Sequence, residues 1–271
     1  MPSPFTPLPL ERAGARAAVL PYGAHVTAWS TADGEQLYLS PRSAYEEGSA
    51  IRGGVPVVFP QFSDRGPLPK HGFARTRAWD VVAHAADAVT LALRDDAATR
   101  ALWPHPFRAE VRVVLAGDAL AVTLAVENPG TDAIAFTAAL HTYLRVGDIA
   151  DVAVEGLGGV RYQDNTARGG EREDDADAVR FDGEVDRVYL DVPNEVTVRE
   201  PGRARVVRAE GFRDVVVWNP GAERARGIAD LEPDGWRRFV CVEAGAVVRP
   251  VTLDAGARWT GTQRIAVAPA R

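Results

Sequence analysis

Short runs of β-branched and apolar residues, each cut off by a Gly, Pro, Asn or Asp, recur along this sequence and leave room for little but β-sheet. Residues 17–20, 81–82 leading to 89–93, 109–115 and 119–126 are of this kind, divided by turn signals such as Ala116-Gly117-Asp118 and Asn128-Pro129-Gly130. Glu110 and Arg112 alternate with Val111 and Val113, a period of two with one wet face. Residues 152–154, 188–190, 196–198, 206–207, 215–218, 239–243 and 265–267 continue the pattern. Helical periodicity is scarce, with short candidate starts only at 43–47 and 95–102. So many strands predict an all-β fold, either two large antiparallel sheets packed face to face or a barrel. Strands resume with the same composition on both sides of the polar stretch 163–186. That stretch is expected to be a long surface loop rather than a linker, and the 271 residues a single domain.

A net charge of −6 argues against nucleic acid or an anionic membrane as partner, since either demands a basic surface. Cys241 is the only cysteine, which excludes an intramolecular disulfide and fits a reducing compartment. No basic segment with a long apolar one opens the chain, and no window of about 20 apolar residues occurs anywhere. The expectation is a cytoplasmic protein, acting as a monomer.

Within this acidic chain, residues 51–75 gather Arg52, Arg65, Lys70, His71 and Arg75 around glycines and prolines. Two readings fit: a site for an anion or a polyhydroxyl compound, or an irregular edge strand with solvated arginines. Further on, alternation places Ala139, His141 and Tyr143 on one strand face and Leu140, Thr142 and Leu144 on the other. His141 is then either a group with open space over its ring or a core histidine satisfied by the backbone. Glu243 shares a face with Cys241 and Phe239, as a solvated strand tip or as a carboxylate in a dry pocket. Cys241 itself reads as a small core residue. The five histidines, 25, 71, 84, 105 and 141, show no metal-ligand spacing, so no metal is expected.

Six motifs then occur in order: Ile51-Arg52-Gly53-Gly54-Val55-Pro56, His71-Gly72-Phe73-Ala74-Arg75, Leu140-His141-Thr142-Tyr143, Asp186-Arg187-Val188-Tyr189, Val217-Trp218-Asn219-Pro220 and Phe239-Val240-Cys241-Val242-Glu243. Together they resemble the aldose 1-epimerase (mutarotase) superfamily, and within it the glucose-6-phosphate 1-epimerase, or hexose-6-phosphate mutarotase, branch. The resemblance spans roughly residues 15–268. It implies a galactose-mutarotase-like β-sandwich, no cofactor, and a small hexose phosphate as partner. It also implies that His141 and Glu243 are the catalytic pair, with Arg52, Arg75 and Asp186 lining the sugar site; Lys70 and His71, read from the residues themselves, are further substrate-binding candidates. Related sequences commonly carry Gln where this chain has Lys70, which leaves open whether Lys70 strengthens a phosphate contact or alters which sugar fits.

The chemistry suits those residue types. Exchanging anomers opens the hemiacetal ring, lets the aldehyde end rotate and closes the ring again. Glu243 can take the proton of the C1 hydroxyl while protonated His141 gives one to the ring oxygen, each contributing on the order of 10²–10⁴-fold. Arg52 and Arg75, helped by Lys70, can pair with phosphate oxygens, with Gly53, Gly54 and Gly72 letting backbone donors approach the same anion. These arginines can equally bind sugar hydroxyls or brace the loop. His71 either orients a hydroxyl or holds its loop. Asp186 accepts from hydroxyls or pairs with a neighbouring cation, and Phe73 or Trp218 supplies an aromatic face. Three rivals fit the same features: a non-catalytic carbohydrate-binding sandwich, a mutarotase for unphosphorylated aldoses, and a glycoside hydrolase using Asp186 and Glu243.

Overall fold

Period-two alternation gives each strand a face that must be covered, and a computed structural model of the chain shows what covers it. The structure describes residues 3–166, 170–192 and 195–269. An eight-stranded sheet runs in the order Glu171–Arg172, Tyr162–Asp164, Val185–Tyr189, Asp214–Asn219, Phe239–Leu253, Ile134–Leu140 and Val57–Val58, with Tyr143–Arg145 paired separately to Phe239–Leu253. A nine-stranded sheet runs Ala178–Val179, Ala153–Glu155, Glu195–Glu200, Arg203–Glu210, Arg258–Ala268, Ala119–Glu127, Arg108–Ala116, Ala88–Arg94 and Asp80–His84. Neighbours in both are antiparallel. The expected pair of large antiparallel sheets is present, and a four-stranded sheet within residues 8–35 adds to it.

Val240, Val242 and Ala244 turn inward and share one apolar cluster with Val122, Leu124, Val198, Val207 and Ile265 of the facing sheet. Each fully buried Val or Leu contributes about 1.5–3 kcal/mol by leaving water, so the eight-stranded sheet is a firm platform for whatever its other face carries. That other face presents Phe239, Cys241 and Glu243, as the alternation predicts.

Three local expectations need correction. Residues 43–47 form no helix, whereas 95–102 does contain one, Ala97–Leu102, whose N-terminus is closed by Asp96 accepting from the Thr99 N–H at 2.7 Å. A second short helix, Gly221–Ala225, follows Pro220 without any periodic signal. The polar stretch 163–186 is not one loop, because Glu171–Arg172 and Ala178–Val179 add short edge strands to the two large sheets; residues 167–169 lie outside the described residues. No helix among the described residues is long and apolar enough to cross a membrane.

Candidate active site

Strand register assembles the site. Asp186 lies opposite Trp218, Trp218 opposite Cys241, and Cys241 opposite Tyr143, a row across the outer face of the eight-stranded sheet. Val188, Val216 and Glu243 form the next row. Beside it the strand Ile134–Leu140 breaks off, and His141 donates its N–H to the Pro56 carbonyl at 3.0 Å before pairing resumes at Tyr143. The segment 51–75 folds over this face. His141, Glu243, Arg52, Lys70, His71, Arg75 and Asp186 all line one cavity. Arg65 does not join them: it donates to Gln163 and Asn165 at 3.0 and 3.1 Å and tethers its loop.

Glu243 Oε1 stands 3.3 Å from His141 Nε2, and the two residues are 1% and 7% exposed. Their other polar atoms, Glu243 Oε2 and His141 Nδ1, have no partner among the described residues. Such orphans are costly in a fold, so this pair is not spent on structure. The imidazole stacks on Tyr143 at 4.8 Å and meets the edge of Trp218 at 5.9 Å. Burial holds His141 well below the ordinary histidine value, and Arg52 and Arg75 push it further. Burial holds Glu243 well above the ordinary carboxylate value; Asp186 adds to this and Arg75 opposes it. Both directions favour the neutral form, a protonated Glu243 carboxyl beside an uncharged His141 imidazole.

Arg52 donates to Asp230 at 3.1 Å and to the Tyr143 hydroxyl at 3.0 Å. Arg75 donates to the Lys70 carbonyl at 2.9 Å, while its Nε is buried without a partner among the described residues. His71 holds its loop through its backbone and its ring together. Its N–H donates to Ser63 O at 2.9 Å and its Nδ1 accepts from the Ser63 N–H at 3.3 Å, which pins the residue at φ +66°. The ring proton is then on Nε2, leaving a donor for the cavity. Asp186 takes its hydrogen bond from Asn165 Nδ2 at 2.8 Å rather than from a neighbouring cation.

Two expectations fail here. Phe73 offers no face to a sugar, because it packs against Phe59 and Phe107 in the core; Trp218 lines the cavity. Gly54 and Gly72 do not bring free donors to an anion. A Cβ on Gly54 (φ +63°) would lie 2.1 Å from Val26 O, and one on Gly72 (φ +69°) 2.2 Å from Phe59 O, so they permit crossings of the backbone over itself. Their N–H groups are engaged by Tyr38 O and Pro69 O. Asn165 and Arg224 also line the cavity but were missed, one inside a stretch read as loop and the other on a helix too short for periodicity.

Among the described residues, His141, Cys241 and Glu243 could hold a metal ion, their donor atoms lying within 4.8 Å of one another. Cys241 packs with Tyr38, Tyr143 and Phe239, and burial pushes its thiol well above the ordinary value, in keeping with a small core residue.

Acid is expected to destabilise the fold through His25 and His71, which are 1% and 8% exposed. Burial lowers His25 to about 4 and lowers His71 also, with His141 and Arg75 adding to the latter. The unfolded chain binds more protons than the folded one below the ordinary histidine value of 6.5, so stability falls as pH falls. His141 and Glu243 cancel, because the pair holds one proton folded and one unfolded between their ordinary values, 6.5 and 4.5. Each group's slope is half of roughly 1.4 kcal/mol per pH unit at pH 6.5 and approaches the full value below it, so the two together give a loss of about 3 kcal/mol between pH 6.5 and pH 5. A Tm unchanged over that range in thermal melts would contradict this.

The sequence model described as aldose 1-epimerase matches residues 8–266. A protein of Cenchrus ciliaris provisionally named glucose-6-phosphate 1-epimerase is 38% identical over 99% of this chain and 90% of its own. One from Escherichia coli (strain K12), with the same provisional name, is 34% identical over 90% of this chain and 85% of its own. A crystal structure from Salmonella typhimurium, provisionally titled a mutarotase, is similar with a TM-score of 0.86 at 33% identity, covering 97% of this chain and 90% of that one. A family match across nearly the whole length and relatives at this identity place the chain in the aldose 1-epimerase family, a family of isomerases.

Proposed function

We propose that this enzyme interconverts the α and β anomers of a hexose 6-phosphate, glucose 6-phosphate foremost, by acid–base ring opening and reclosure at His141 and Glu243. The observation that carries the reading is the buried 3.3 Å contact of Glu243 Oε1 with His141 Nε2, facing a cavity that also holds Arg52, Lys70 and Arg75. The relatives' names favour the phosphorylated substrate. A protein that only bound sugar would gain nothing from a buried pair with unspent polar atoms. A glycoside hydrolase of the usual kind needs two carboxyl groups flanking the bond rather than a carboxyl and an imidazole.

For Glu243 to act as base, its resting proton must pass to His141. Arg52 and Arg75 oppose the imidazolium, and a phosphate dianion paired with them through charge-assisted hydrogen bonds cancels that opposition. Glu243 then takes the C1 hydroxyl proton, His141 protonates the ring oxygen, and the bond between that oxygen and C1 breaks. The aldehyde rotates, and the reverse transfers close the ring on its other face, returning both protons. Asp186 and the Nε2–H of His71 hold hydroxyls, with the Trp218 ring flanking the sugar.

The pH dependence of kcat/KM, which reports the free enzyme, is expected to be bell-shaped. Its acid limb, where the pair takes a second proton, lies below the ordinary histidine range because burial lowers His141. Its alkaline limb, where the pair loses its only proton, lies above the ordinary carboxylate range because burial raises Glu243. A chelator is expected to change nothing; activity lost in EDTA and restored by a divalent ion would assign a metal to the cluster at Cys241. The substrate itself is tested by kcat/KM for glucose 6-phosphate against glucose, expected to differ on the order of 10²-fold from the charged hydrogen bonds alone. Equal values would make this a mutarotase of unphosphorylated aldoses.

A further inference from the structure

Behind the acid–base pair the ladder of the sheet is interrupted, and a residue of the opposite sheet fills the gap. The strand Ile134–Leu140 ends just before His141 and pairing resumes at Tyr143, which leaves Thr142 turned into the sandwich. Thr142 is fully buried, and so is Gln263 on Arg258–Ala268 of the nine-stranded sheet, at 0% and 1% exposure. Three hydrogen bonds close a circuit between them. Val242 N–H donates to Thr142 O at 3.1 Å, Gln263 Nε2 donates to Val242 O at 2.9 Å, and Thr142 Oγ1 donates to Gln263 Oε1. Thr142 directly follows His141 and Val242 directly precedes Glu243. One buried amide thus holds the Val242 carbonyl and the Thr142 hydroxyl, each on a residue adjacent to one member of the pair.

An amide in this layer needs a reason. Gln263 lies opposite Val122, and Ile265 shares its buried side of the strand. A leucine would fill the same volume without a polar group to satisfy. We propose that Gln263 is a positioning residue for the reaction: it sets the separation of His141 and Glu243 by clamping the two backbone segments that carry them. The proposal rests on the acid–base reading of that pair. A shift of about 1 Å at reacting groups can cost on the order of 10²-fold in rate, so losing the clamp lowers kcat about 10- to 10²-fold. The residues that hold the sugar lie on the cavity wall and are untouched, so KM stays within about twofold.

The test compares Thr142→Val, Gln263→Leu and the double variant with wild type and with Glu243→Gln, in anomer exchange of glucose 6-phosphate at a temperature where circular dichroism shows every protein folded. Each single variant orphans a buried polar partner and lowers Tm by roughly 5 °C. The double variant removes both side-chain partners and leaves only the Val242 carbonyl short of its donor, so Tm recovers in part while kcat stays low at unchanged KM. A role in satisfying burial alone predicts the opposite, with kcat returning to the wild-type value alongside Tm, and that result overturns the proposal. So does a folded Gln263→Leu protein with full kcat. Glu243→Gln reports separately: if it keeps wild-type rates, the acid–base reading fails and takes this proposal with it, whereas a dead Glu243→Gln beside a fully active double variant removes the positioning role alone.

Discussion

His141→Asn and Glu243→Gln are each expected to slow anomer exchange by at least ~10²-fold, the ordinary scale of a lost general acid or base. Both replacements keep shape and delete proton transfer. Neither breaks a structural hydrogen bond of the lost groups, since among the described residues Nδ1 and Oε2 have no partners and Nε2 and Oε1 face each other. Glu243→Gln also removes an acid that burial holds in its neutral form, so Tm is expected to hold. A normal Tm with a collapsed rate separates chemistry from folding. Near-normal exchange in both variants would remove the pair from the mechanism.

Arg75→Glu is expected to raise KM for glucose 6-phosphate by at least ~30-fold, the low end for losing a desolvated charge contact, while turnover of free glucose changes much less. The Nε of Arg75 is buried without a partner among the described residues, a donor the described fold does not use. Arg52 has less to spare, being engaged by Asp230 and Tyr143. Because Arg75 also holds the Lys70 carbonyl, Arg75→Gln serves as a milder companion that retains a donor. Equal losses on both sugars would mean that Arg75 places the ring or the loop, and the phosphate preference would be withdrawn.

What the sequence reveals and what it hides divide along one physical line. A period of two with one apolar face is local, so the faces of His141 and Glu243 can be read from their neighbours: Leu140 and Leu144 lie in the core, and so do Val240 and Val242. The cations of residues 51–75 stand out because the rest of the chain is acidic. Register between distant strands is set by tertiary packing rather than by propensity. The row from Asp186 through Trp218 and Cys241 to Tyr143 therefore had no local signal, and neither did Asn165 beside Asp186. Thr142 shows the limit most sharply: alternation turns it inward, but nothing near it announces that its partner is Gln263. The glycines misled for a related reason. A glycine advertises close approach, and only the fold says that Gly54 and Gly72 approach the chain's own carbonyls.

The most direct measurement is magnetisation exchange between the α and β C1 protons of glucose 6-phosphate in solution, with catalytic amounts of the wild-type protein and, in parallel, of Glu243→Gln. The account predicts that exchange cross-peaks build up far faster with wild type than without protein and fall back towards the spontaneous rate with Glu243→Gln. Saturable binding of the sugar by the wild-type protein with no gain in exchange would contradict it and leave a carbohydrate-binding sandwich in its place.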